Sequence, residues 1–175
     1  MALIQTIPPE KAEGKLAELY AEVEQLFGRV PNNVQMLGIS PDLLESQLQF
    51  VAYYMEHPAL RTPLLAMIRM LVSKACKSPY CQNLNTGLLM QAGFTREQIE
   101  AAQADPSRAP LPDKEKALLL FVLKATDNPH SVVQADVDHL RSLGWTDLDI
   151  FDATAQGARM VGTNILFDTF KVEID

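Results

Sequence analysis

Cys76 and Cys81, the two cysteines of the chain, both fall in the stretch Ser73-Lys-Ala-Cys-Lys-Ser-Pro-Tyr-Cys-Gln-Asn-Leu-Asn85. If the protein carries redox chemistry, these residue types place it here. Ser78 followed by Pro79 is a helix-start signal: the serine oxygen can accept from a free backbone N–H, and proline at the first helical position has no N–H to leave unpaired. Cys81 is then expected in the first helical turn, where the helix end favours a thiolate and should lower its pKa below the free value of about 8.5. Ser78, Tyr80 and Asn85 are the nearby side chains able to hydrogen-bond a reacting group. A Cys-x-x-Cys dithiol would need a cysteine at Ser78, so the remaining partner is Cys76, at the end of the preceding helix. Bridging the two requires Cα atoms within about 7 Å. The competing reading is two reduced cysteines that pack as small apolar residues.

The elements that would position these residues read as helices throughout. From Gly14, the series Leu16, Leu19, Tyr20, Val23 and Leu26 follows helical spacing until Gly28 and Pro31. Pro31-Asn-Asn opens a short piece to Leu37. Ser40-Pro41 repeats the serine-proline start and launches a helix that His57-Pro58 ends. Thr62-Pro63 opens a third long helix that is apolar almost all round, through Leu64, Leu65, Met67, Ile68, Met70, Leu71 and Val72, which marks burial on every side. Cys81 lies on the next, which Gly93 closes. Thr95-Arg-Glu-Gln opens another, before a proline-rich link from Ala104 to Pro112.

Beyond the link the same order recurs. A nearly all-apolar helix to Asp127 is followed by a restart at Asn128-Pro129-His130-Ser131, and Gly144-Trp-Thr precedes the last long helix. Pro79 matches Pro129, and Gly93-Phe-Thr matches Gly144-Trp-Thr after one inserted residue. The chain therefore reads as one all-α domain over residues 1–175, built from two copies of a helical repeat at about 62–103 and 114–170. The second copy has Thr126, Asn128, His130 and Ser131 where the first has Cys76, Ser78, Tyr80 and Cys81. Any thiol site belongs to the first copy alone.

Composition narrows the function classes. The chain has 175 residues, 47% of them hydrophobic, and carries 22 acidic against 15 basic residues for a net charge of −7. With no Lys/Arg cluster, it lacks the phosphate-contacting surface that nucleic-acid binding requires. No apolar run reaches membrane-spanning length and the amino terminus has no signal-peptide pattern, so a cytoplasmic protein is expected. His57, His130 and His139 are scattered without ligand spacing, and no metal site or cofactor is expected. Glu10, Glu13, Glu18, Glu22 and Glu24 read as a solvated face, and Met67, Met70 and Met90 as core filling.

The run from Leu71 to Thr86, the Gly93-Phe-Thr that follows and the duplicated unit resemble the alkylhydroperoxidase D-like / carboxymuconolactone decarboxylase superfamily, in particular its peroxidase-related branch. The resemblance covers most of the chain from about Gly14 and implies an all-α helical bundle. It also implies a cycle in which a thiolate attacks a peroxide and the resulting sulfenic acid is resolved by a second thiol. The family's redox motif is a glutamate, then Cys-x-x-Cys, then a histidine four residues on. Carried onto this chain, the second cysteine is Cys81, while the first falls on Ser78, the histidine on Asn85 and the glutamate on Ala66. One of the four positions matches. The function expected is reduction of peroxides through a single helix-start cysteine, with Cys76 as resolver. A catalytically lapsed oligomeric scaffold and a lactone decarboxylase acting on a small organic acid are the alternatives. The resemblance further implies a homo-oligomer, a trimer or a hexamer.

Overall fold

The computed structural model describes residues 2–175. Among them are nine α-helices and three short 3-10 turns, with no strand: α1 (Gly14–Phe27), α2 (Asn32–Leu37), α3 (Pro41–Met55), α4 (Thr62–Ala75), α5 (Pro79–Gln91), α6 (Arg96–Ala104), α7 (Asp113–Asp127), α8 (Gln134–Ser142) and α9 (Asp147–Phe170). The all-α class read from periodicity is the observed one. The chain divides into two compact units, Met1–His57 with Leu166–Asp175, and Pro58–Ile165.

In the first unit α1 buries Leu16, Leu19, Tyr20 and Val23, the inward stripe of an amphipathic helix, in one cluster with Val30, Val34 and Leu44. The five amino-terminal glutamates are exposed, as a solvated face should be. The Tyr20 hydroxyl donates to the Ile7 carbonyl at 2.9 Å, which satisfies the one polar atom the stripe buries. Burial pushes the Tyr20 phenol up to about 12. An unfolded tyrosine ionises near 10, so between those values the folded chain holds a proton that the unfolded chain has lost. Stability is therefore expected to fall as pH rises from about 10 to about 12. Tyr20→Phe should remove that slope together with the late component of the tyrosinate absorbance titration; a titration unchanged by the substitution would refute the assignment.

The second unit is built on α4. Leu64 to Ser73 are buried without a break except at Arg69, which is half-buried. Each large side chain fully buried there is worth about 1.5–3 kcal/mol. A Schellman turn ends the helix: Lys77 takes a left-handed φ of 59°, its N–H donates to the Lys74 carbonyl at 3.0 Å, and the Ser78 N–H donates to the Ser73 carbonyl at 2.9 Å. α5 then runs back along α4. It closes through Gly93, whose φ of 95° suits glycine, and Gly144 repeats this at φ 82°. Thr95 and Gln98 form a reciprocal capping box for α6. Thr146 and Asp149 form the matching pair for α9.

Three sequence expectations need correction. Pro129 opens only a 3-10 turn, Pro129–Ser131, and α8 begins at Gln134 after extended Val132 and Val133, where β-branched side chains favour extended backbone. α7 is not buried all round: Leu118, Leu119 and Val122 face inward while Leu120 is exposed. Met67 and Met70 fill the core, but Met90 stands exposed near the end of α5.

Candidate functional site

α5 places Cys81 in its first turn, as the Ser-Pro start requires, with Pro79 at the first helical position. Ser78 occupies the cap position, but its side chain makes no capping bond. Ser40 behaves in the same way at α3. In both starts proline, with its fixed φ and missing N–H, carries the signal.

The hydrogen-bonding candidates lie in the core. Ser78, Tyr80, Cys81 and Asn85 are all buried, with Cys81 at 2% exposure. Cys81, Asn85 and Leu89, spaced by four, form the face that α5 turns inward. Asn85 Nδ2 donates to the Cys81 carbonyl at 2.8 Å, and Asn85 Oδ1 accepts from Arg69 Nε at 2.7 Å. Arg69 makes no other hydrogen bond among the described residues. Burial pushes its guanidinium down to about 10, so it stays charged at neutral pH. A cation is thus tied to the position that follows Cys81 by one helical turn. Ala66, where the family's glutamate would fall, is buried one turn before Arg69 on α4.

Counting four residues back along α5 and four forward along α4 from the Arg69–Asn85 bond brings Cys81 level with Ser73. Ser73 is fully buried, and its hydroxyl donates to Asn164 Oδ1 of α9 at 3.2 Å. Asn164 is itself buried, and its Nδ2 has no partner among the described residues. Arg69, Ser73 and Asn164 were not singled out from the sequence. For Arg69 a signal was present: it is the one charged residue between Thr62 and Ser73 in an otherwise apolar helix. Ser73 and Asn164 gave none, because 91 residues separate them.

Cys76 caps the C-terminal end of α4, half-buried, and both cysteines are free thiols. Position therefore opposes the order of reactivity that helix-end electrostatics alone would give. In the folded protein Cys76 should be alkylated before Cys81, and labelling of Cys81 should speed up once denaturant opens the core. Mass mapping after brief treatment with N-ethylmaleimide, with and without denaturant, checks this; prior labelling of Cys81 in native buffer would contradict it. Among the described residues no group of three or more metal-binding side chains gathers. No helix among them is long and apolar enough to cross a membrane.

No family model matches the chain. An alkyl hydroperoxide reductase of Mycobacterium tuberculosis is 30% identical over 95 residues, which are 53% of this chain and 27% of that relative's length. A peroxidase-related protein of Ralstonia eutropha JMP134 with an alkylhydroperoxidase D core superposes with a TM-score of 0.88 at 23% identity, covering 99% of this chain and 92% of its own. A peroxidase-related protein of Silicibacter sp. TM1040 gives a TM-score of 0.83 at 21% identity, over 98% of this chain and 88% of its own. The debrominase Bmp8, as a cysteine-to-alanine variant in complex with 2,3,4-tribromopyrrole, gives 0.75 at 18% identity over 100% and 94%.

Proposed function

The chain has the alkylhydroperoxidase D-like fold, and from that premise we propose that it reduces small peroxides through Cys81. The observation that supports this most is the Arg69–Asn85 pair one turn along α5 from the thiol. It ties a half-buried positive charge to Asn85, which stands at the sequence position where the family it resembles has its histidine. Positive charge beside a cysteine and the first turn of a helix both favour the thiolate, which is the nucleophilic form.

In the reaction, the Cys81 thiolate attacks one peroxide oxygen. An S–O bond forms as the O–O bond breaks, giving sulfenic acid, and the departing alkoxide or hydroxide takes up a proton. A second thiol then condenses with the sulfenic acid, releasing water and leaving a disulfide, which an external dithiol reduces. Cys76, just across the turn, is the resolving thiol within this chain; a small external thiol serves when it does not reach. Ser78 and Tyr80 flank the nucleophile as hydrogen-bonding groups. The burial of Cys81 restricts the substrate to molecules small enough to enter beside α5. The protein acts in an aqueous compartment, the cytoplasm, and needs no metal or cofactor for this cycle.

Burial of Cys81 also favours the second reading, a lapsed enzyme kept as an oligomeric scaffold, because structural buried cysteines are inert. One experiment separates the two. Hydrogen peroxide and cumene hydroperoxide consumption under dithiothreitol is compared for the wild type, Cys81→Ser and Cys76→Ser, with dimedone trapping of sulfenic acid. Consumption lost in Cys81→Ser, with the dimedone adduct on Cys81, is expected. Equal consumption by wild type and Cys81→Ser without an adduct would leave the scaffold.

A further inference from the structure

Among the described residues three lysine or arginine side chains are half-buried: Arg69, Lys116 and Lys124. Lys116 pairs with Asp113 at 3.9 Å and Lys124 with Asp136 at 2.6 Å. Arg69 pairs with no carboxylate among the described residues, although the chain carries 22 acidic residues. The hairpin that holds it has none to offer, because neither α4 nor α5 contains an aspartate or a glutamate. Burial alone lowers its pKa, and no neighbouring carboxylate raises it again. Withdrawing a cation from water without a counter-charge is unfavourable, and here the protein supplies none.

The one bond that Arg69 makes decides which of its edges remains. Its Nε donates to Asn85 Oδ1 at 2.7 Å, and Asn85 is held in turn by its own bond to the Cys81 carbonyl at 2.8 Å. The side-on edge of the guanidinium, which uses Nε, is therefore taken. The end-on fork of Nη1 and Nη2 makes no hydrogen bond among the described residues. Such a fork meets the two oxygens of a carboxylate with two parallel bonds. The charge of the ligand follows from the cations at hand. α5 has no lysine or arginine, and Lys74, the other cation of α4, is exposed and bonded to the Gln103 carbonyl. A single cation balances a monoanion and leaves a phosphate dianion uncompensated.

We propose that the Nη1 and Nη2 fork of Arg69 is a binding site for the carboxylate of a small organic monoanion. The site itself does not need the redox chemistry. Resting on the peroxidase reading, it also sets the substrate class: a hydroperoxide that carries a carboxylate, anchored at Arg69 with its O–O group directed back along α5 to Cys81, one turn from Asn85.

Calorimetric titration of the reduced full chain in chloride-free buffer tests this with benzoate, with its neutral counterpart benzamide and with inorganic phosphate. Benzoate should bind, and the other two should not. Arg69→Met should weaken benzoate binding by about 10- to 100-fold, as loss of a charge-assisted contact implies. Arg69→Lys, which keeps the charge without the fork, should fall between. Asn85→Asp supplies the missing carboxylate from inside the chain at nearly the same size and should suppress binding as strongly, so the outcome does not hang on the folding of one variant. Cys81→Ser should bind benzoate as the wild type does, which separates the site from the redox reading. In the consumption assay, cumene hydroperoxide bearing a para-carboxylate should show a KM about tenfold below that of the parent compound, and Arg69→Met should bring the two together. Benzoate binding without consumption of either hydroperoxide would leave the site standing and remove only the peroxidase reading. No benzoate binding, equal binding of benzamide or phosphate, or binding that survives both Arg69→Met and Asn85→Asp would overturn the site. Binding by Cys81→Ser but not by the wild type would overturn it too, because the Cys81 thiolate would then fill the fork.

Discussion

Replacing Asn85 with leucine is expected to lower stability by about 2–4 kcal/mol. A hydrogen bond to a charged group contributes roughly 1.5–3 kcal/mol, and stranding its half-buried partner adds part of a desolvation cost. Among the described residues Asn85 Oδ1 accepts the single hydrogen bond that the Arg69 guanidinium makes, at 2.7 Å, and the Asn85 side chain is 2% exposed. For a chain of this size, each kcal/mol moves Tm by about 2–4 °C, so a fall of roughly 4–16 °C should be seen by calorimetry. Arg69→Met alone should cost less, about 1–3 kcal/mol, because it strands a neutral carbonyl in place of a cation. The double variant is the decisive member of the set. With both partners apolar, nothing polar is left stranded between the two positions, and the loss should be smaller than the sum of the single losses by about 0.5–3 kcal/mol. Strict additivity would mean that the two side chains do not depend on each other. On the proposed function the same set separates charge from packing: Arg69→Lys should keep more of the Cys81 oxidation rate than Arg69→Met, because it retains the cation.

The second large effect is expected at Gly157. A Cβ there would lie 2.5 Å from Val122 Cγ1, 3.1 Å from Thr126 Cγ2 and 3.8 Å from Ile68 Cγ2, at the place where α9 passes α7 and α4. Val122 is fully buried and branched at Cβ, so its choice of rotamer within the helix is narrow. The Thr126 hydroxyl is anchored to the Val122 and Leu123 carbonyls at 3.0 and 3.1 Å. Alanine would gain about 0.8–1 kcal/mol of helix propensity over glycine. Overpacking of this kind costs about 1–3 kcal/mol and occasionally more, and here the contact is with a side chain that has little room to yield. Gly157→Ala is therefore expected to be destabilising on balance, and Gly157→Val strongly so. Gly87, inside α5, is the internal control: nothing lies within 4 Å of a Cβ built there. Gly87→Ala should raise stability by about 0.4–1 kcal/mol. Equal signs for the two alanine variants in a thermal melt would refute the crowding at Gly157.

The local signals in the sequence carried most of the architecture. Pro79, Gly93, Gly144 and the Thr95–Gln98 box each act within a few residues, and each is where the pattern places it. The buried face of α5 was harder to see because it consists of Cys81, Asn85 and Leu89. An amide in the middle of an inward stripe breaks the apolar rhythm by which a helix is recognised, and the guanidinium of another helix together with the Cys81 carbonyl makes that amide tolerable in the core. Ser78 misled for the opposite reason. Its residue type suits a cap, but whether the hydroxyl turns to the backbone depends on packing around a fully buried position. Pro129 shows the same limit in the second copy: the two extended valines after it outweigh its likeness to Pro79.

Two of the hydrogen bonds that hold the site's polar side chains differ in how much of the chain must exist before they can form. Arg69 and Asn85 are 16 residues apart, whereas Ser73 and Asn164 are 91 apart. On loop-closure entropy the longer contact costs about 1.5 kcal/mol more to close. During synthesis the difference becomes one of time. At about 5–20 residues per second, the α4–α5 hairpin with its guanidinium and amide leaves the ribosome several seconds before α9. For that interval the nascent chain can close the Arg69–Asn85 bond but not the Ser73–Asn164 bond, which waits for α9.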